Sequence, residues 1–123
     1  MSLVVIWLAA LQTQAPLLEI PRPLWGEYNE NVVHCGTGLN DSRLRISWNT
    51  VQFYESTGTL RELIRHKDGS VTILADHAGE GQQWTSLYHL ALSPDGKRLT
   101  TTHSQDAESR QSSTTRLRCP VEK

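Results

Sequence analysis

Residues 59–73 read TLRELIRHKDGSVTI, and the conformation of the first nine of them decides whether this chain is all-β. As a helix, Thr59 and Glu62 would form a capping box, with Leu60, Leu63 and Ile64 on one face. As a strand, Leu60 and Ile64 would share a face with Glu62, which is the poorer pattern. The residues immediately C-terminal tip the balance. Asp68-Gly69 leads directly into Val71-Thr72-Ile73, and Asp-Gly between two such runs is a strong hairpin signal. The reading is therefore a strand over residues 59–67 paired with a strand over residues 70–75, with a helix over 59–67 as its rival.

Towards the N-terminus, residues 43–48 alternate cleanly, with Leu44, Ile46 and Trp48 on one face and Arg43, Arg45 and Ser47 on the other. Val51 and Phe53 continue the alternation, and Ser56-Thr57-Gly58 reads as a turn. Period two with β-branched and aromatic residues is the strand signature. Residues 24–28 and 31–35 are further strand candidates, and 36–42 a loop. Towards the C-terminus, residues 76–83 (DHAGEGQQ) read as a polar loop. A long strand comes next over 84–93, with Trp84, Tyr88, Leu90 and Leu92 in one phase. Pro94-Asp95-Gly96 turns it into a strand over 97–103. Residues 104–113 hold nothing apolar larger than Ala107 and read as a mobile loop, before a last strand over 114–119. The expected fold class is all-β, an antiparallel meander of about eight strands, closed or nearly closed, because closure removes exposed edges.

The chain has 123 residues, enough for one domain. Its 12 Lys+Arg stand against 13 Asp+Glu, and the charges are scattered singly. That balance argues against a nucleic-acid partner, which needs a basic patch. The apolar run over residues 2–11 is too short to span a bilayer. With Thr13-Gln14-Ala15 behind it, it suits a signal segment cleaved after Ala15, although no Lys or Arg precedes it and Pro16 comes straight after the cleavage point. The expected organisation is a signal peptide over 1–15, a Pro-rich arm over 16–23 and one β-barrel domain over 24–123, periplasmic or secreted. Two cysteines, Cys35 and Cys119, allow only one intramolecular disulfide. Closing so long a loop would restrict the unfolded chain by roughly 4 kcal/mol. There is no Cys-x-x-Cys, and the five histidines lack ligand spacing, so no metal or cofactor is expected.

Trp25-Gly26-Glu27-Tyr28 stands near the start of the domain, and Arg116 and Arg118 lie on its expected last strand. This resembles the calycin pattern of lipocalins and avidins, a Gly-x-Trp on the first strand with a late-strand arginine over the ring. Here Tyr28 takes the aromatic position after Gly26, or Trp25 precedes it; neither reproduces the Gly-x-Trp itself. The resemblance implies a calycin-like barrel with a guanidinium across an aromatic face at one end. For so short a chain it also allows an interior filled by side chains.

Asp76, His77 and Glu80 form the densest titratable cluster, with Gln82, Gln83 and Trp84 just beyond. These six are the candidate binding residues, on an exposed loop whose end Trp84 anchors in the core. A purely structural role, as turn and core residues, fits the same positions, and Trp48 reads as core. A carboxylate pair such as Glu55 with Glu80 is not marked out by spacing, and no Gly-x-Ser-x-Gly is present, so no catalytic residue is assigned. The first functional expectation is an exported module recognising a protein or small ligand through barrel-end loops, in the manner of inhibitor or immunity proteins. The second is a lipocalin-like carrier of a small apolar ligand in the barrel interior. The third is an enzyme with a carboxylate/His site. A cavity lined by Leu, Ile and Trp would favour the carrier, and a filled core with an exposed acidic-aromatic site the module.

Overall fold

Residues 59–65 extend as a strand, with His66 and Lys67 leading into the turn, and a bulge explains why their pattern looks helical. In the computed structural model, which describes residues 18–104 and 111–121, pairing of this strand with its successor shifts between Leu60 and Glu62. The extra residue resets the alternation. Leu60 and Leu63 consequently both pack against the core, although three positions apart, while Ile64 is exposed. The hairpin at Asp68-Gly69 forms as expected. His66 N–H donates to the Ser70 carbonyl, and Gly69 takes a positive φ of 92°. The Asp68 carboxylate accepts from both Ser70 N–H and Ser70 Oγ, and these bonds hold its pKa below the usual carboxylate value.

The strands are β1 (Gly26–Asn29), β2 (Leu44–Ile46), β3 (Thr50–Gln52), β4 (Thr57–Arg65), β5 (Val71–Gly79), β6 (Gln82–Leu92), β7 (Arg98–Ser104) and β8 (Gln111–Arg118). Each pairs antiparallel with the next, and β8 returns to β1 through Tyr28↔Arg118 and Asn29↔Leu117. The result is a closed eight-stranded meander barrel. Ile20, Leu24, Tyr28, Leu44, Val71, Leu90 and Leu99 fill the end where β8 terminates, all of them essentially inaccessible.

Several sequence expectations need correction. Residues 31–35 are not a strand; Val32–His34 form one turn of 3-10 helix. Asparagine side chains compete here with the sheet: Asn29 Oδ1 accepts from Asn31 N–H, and Asn31 Oδ1 from Val33 N–H. Residues 76–83 are not a loop. β5 runs to Gly79 and β6 begins at Gln82, because Asp76, His77 and Ala78 pair with Thr59, Gly58 and Thr57 of β4. Only Glu80-Gly81 turns, with φ of 50° and 77°. Trp84 and Trp48 are not core residues, being 41% and 52% exposed. Trp84 has the inward phase but stands at the rim, and Trp48 sits between β2 and β3. Of the segment read as a mobile loop, Ser104 and residues 111–113 pair within β7 and β8, while 105–110 lie outside the described residues. The expected signal segment lies outside them too.

The arm is partly built into the fold. Pro21 and Pro23 keep it out of the sheet, but Ile20 is fully buried, its N–H donating to the Trp48 carbonyl. Behind it Arg118 lies over the Tyr28 ring, its guanidinium carbon 5.2 Å from the centroid. Arg118 Nη2 donates to Tyr28 Oη at 2.7 Å and to the Pro23 carbonyl at 2.6 Å. Arg116 serves the other end of the barrel, and Trp25 receives Arg22 instead. Cys35 and Cys119 are bridged, with Cα atoms 5.7 Å apart, which ties the β1–β2 connection to the end of β8. A disulfide is compatible with an oxidising, exported location. Among the described residues no helix is long and apolar enough to cross a membrane.

Candidate binding site at the barrel mouth

At the end opposite Ile20, the β5–β6 turn and the segment between β3 and β4 meet. Two glycines permit the meeting. A Cβ at Gly79 would lie 2.3 Å from the Glu55 carbonyl oxygen, and one at Gly58 would lie 2.5 Å from His77 Nε2. Gly58 thus leaves room for an imidazole inside the barrel, and Gly79 lets β5 close against residues 55–56.

His77 is the hub of this end. It is buried, with Nδ1 3.0 Å from Ser56 Oγ and Nε2 3.2 Å from Tyr88 Oη. The Trp84 ring stacks on it, and Phe53 lies 5.7 Å away, centroid to centroid. Tyr88 in turn meets His103 at 5.1 Å. Arg116 completes the layer: its guanidinium stands 5.8 Å from the Phe53 ring, with Nε donating to the Ser42 carbonyl and Nη1 to Thr101 Oγ1. Burial first, and His103 second, push the His77 pKa below the ordinary histidine value. Burial and then Arg116 do the same to His103. Burial raises the Tyr88 phenol well above its usual range. Burial also lowers Arg116, with Glu30 opposing. Neutral imidazoles therefore share a buried layer with one guanidinium.

A cleft of about 340 Å³ adjoins this layer, lined by Asp41, Phe53, Tyr54, Glu55, Ser56, Gly79, Glu80, Gln82 and Trp84. Of the six candidate residues, Glu80, Gln82 and Trp84 line it and His77 supports Trp84. Asp76 and Gln83 do not belong to it. Asp76 is exposed on the outer wall, bridged to Arg61 at 3.0 Å, and Gln83 is exposed opposite Ala78. Asp41, Phe53, Tyr54 and Ser56 were missed by sequence reasoning, and Glu55 was set aside there because spacing did not mark it out. Glu55 and Glu80 are 25 positions apart in sequence, and only the meander brings them to one opening.

No family model, curated protein or solved structure matches this chain, so the reading of the site rests on its own residues. Ser56 and His77 are spaced like a nucleophile and its base. The group behind the imidazole, however, is the Tyr88 phenol, which burial keeps protonated, so it cannot balance the charge of an imidazolium as a carboxylate does. The layer is better suited to holding a surface in shape than to proton transfer.

Proposed function

We propose that this chain is a small binding module whose mouth cleft takes a positively charged side chain, a lysine or arginine, presented by a partner protein. One observation carries the reading: the cleft combines the rings of Phe53, Tyr54 and Trp84 with the carboxylates of Asp41, Glu55 and Glu80, and no Lys or Arg is among its lining residues. An aromatic face attracts a cation by about 0.5–2 kcal/mol, depending on how dry the contact is. Ion pairs from an ammonium or guanidinium to these exposed carboxylates add roughly 0.2–1 kcal/mol each. Exposed Trp84 and Tyr54 at one opening also suit the aromatic anchoring common at protein interfaces. The carrier reading is less well supported, since Tyr28, Tyr88, Ile73 and Leu90 occupy the barrel interior as fully buried side chains.

The test is a titration followed by NMR, using blocked arginine, blocked lysine and blocked norleucine at neutral pH. The two cations should shift the signals of Trp84, Tyr54 and Gly79, and norleucine should not. The Glu55→Gln, Glu80→Gln double variant should lose the response while keeping its fold. An equal response to norleucine, or an undiminished one in the double variant, would end this reading.

A further inference from the structure

His77 connects the parts of the mouth that must hold still for the cleft to keep its shape. Through Nδ1 it ties to Ser56, a residue of the cleft lining, and through Nε2 to Tyr88 inside the barrel. The Trp84 ring, part of the cleft wall, lies on it with 14° between planes. We propose that His77 is an acid-operated release for the cleft: the neutral imidazole holds Trp84 and Ser56 in the ligand-taking arrangement, and its protonation lets that arrangement go. This rests on the binding role proposed above.

A neutral imidazole has one donor and one acceptor nitrogen, which match Ser56 Oγ and a Tyr88 O–H directed at the ring. Protonation makes both nitrogens donors, so Tyr88 must turn its proton away, or one bond is lost. The new charge would also arise in a layer that is already positive. The groups around His77 are Gly58 of β4, Phe53 and Ser56 of the preceding segment, Trp84 and Tyr88 of β6, and His103 of β7, with Arg116 of β8 behind Phe53. Asp76, the adjacent acid, points outward to Arg61, and Glu55 and Glu80 line the cleft. Burial and His103 oppose the charged form, so release occurs at a pH below the ordinary histidine value of 6.5. If only the neutral form binds, each pH unit below the His77 pKa lowers apparent affinity about tenfold.

The experiment measures affinity for blocked arginine from pH 7.5 to pH 5 and, on the same samples, follows the His77 ring and Trp84 indole signals by NMR. In the unaltered protein, affinity should fall about tenfold per unit once His77 titrates, and the Trp84 signal should move with it. His77→Gln should flatten this dependence to within about twofold. Should that variant fail to fold, His103→Asn serves instead; removing the imidazole whose protonation opposes that of His77 should move the release to higher pH. Blocked arginine failing to bind at pH 7.5 would overturn the proposed function, yet Trp84 moving in step with His77 would still support the switch. A Trp84 signal indifferent to His77 protonation, or a pH dependence undiminished in His77→Gln, would overturn it.

Discussion

The indole of Trp84 lies nearly parallel to the imidazole of His77, with centroids 5.5 Å apart and 14° between planes. The pair stands directly opposite in the β5–β6 ladder. The indole thus rests on a buried neighbour while 41% of the residue stays exposed at the cleft. Its inward phase and its exposure are two consequences of one position, an inward site at the rim two residues from the β6 end of the hairpin turn.

Truncating that ring should cost less than removing a core aromatic. Trp84→Ala is expected to lose about 1–3 kcal/mol, against roughly 3–5 kcal/mol for a fully buried ring. Urea unfolding of the variant gives the value. A loss at the upper figure would mean that Trp84 works mainly as core.

Acid should destabilise the fold through the same layer. His77 and His103 both have folded-state pKa values below the ordinary 6.5. As pH falls through 6.5 the unfolded chain binds protons that the folded one refuses, so the unfolded state gains. The stability they contribute is complete above 6.5 and is lost as pH falls from there through the lowered folded-state values. Thermal unfolding from pH 8 to pH 4 should show this slope, and His103→Asn should make it shallower. An unchanged slope would place the acid sensitivity elsewhere.

Glu80 occupies a backbone position that disfavours it. It is the only described non-glycine residue with positive φ, at 50°, in a two-residue turn that asparagine or glycine fits better. Left-handed backbone costs such a residue about 1–2 kcal/mol. Glu80→Asn should therefore raise stability by about 0.5–1 kcal/mol while weakening cation binding. Stability is read from denaturant unfolding and binding from the blocked-arginine titration. A variant both more stable and equally good at binding would remove Glu80 from the site.

Period-two runs with turn residues between them made the barrel legible in the sequence, and the two cysteines made the disulfide so. The bulge near Arg61 was not visible, because an inserted residue gives Leu60 and Leu63 the same spacing as a helical turn. The β5–β6 hairpin was hidden differently. Polar composition over 76–83 outweighed the pairing of His77 with Trp84 across Glu80-Gly81, although a glycine in a two-residue turn is itself a hairpin cue. The inward His77, beyond the last apolar layer, broke the pattern that composition could recognise. Three of the nine residues lining the cleft, Glu80, Gln82 and Trp84, were among the sequence candidates. Five more come from residues 41 and 53–56, which only closure of the sheet brings near.

The disulfide should govern stability and leave the cleft largely intact. The bridge joins positions 84 apart, so opening it frees most of the domain in the unfolded state, a loss of about 4 kcal/mol in the loop-entropy model. It sits at the rim where β8 ends, beside Trp25 and Arg118, away from the mouth. A route by which it could reach the cleft is the β1–β2 connection, which contains Cys35 and carries Asp41. That connection has a second anchorage: Ser42 Oγ and Asn40 Nδ2 both donate to Asn29 Oδ1, at 2.8 and 2.9 Å, and the Ser42 carbonyl accepts from Arg116. Asp41 is therefore held between residues fixed independently of the sulfurs. The Cys35→Ser, Cys119→Ser double variant is expected to lose about 2–5 kcal/mol while binding blocked arginine within about threefold of the unaltered protein under conditions where it stays folded. Urea unfolding measures the first quantity and the NMR titration the second. A stability loss under about 1 kcal/mol would mean that the unfolded chain gains little freedom when the bridge opens. Abolished binding in a folded variant would show that the disulfide, not the Asn29 network, positions Asp41.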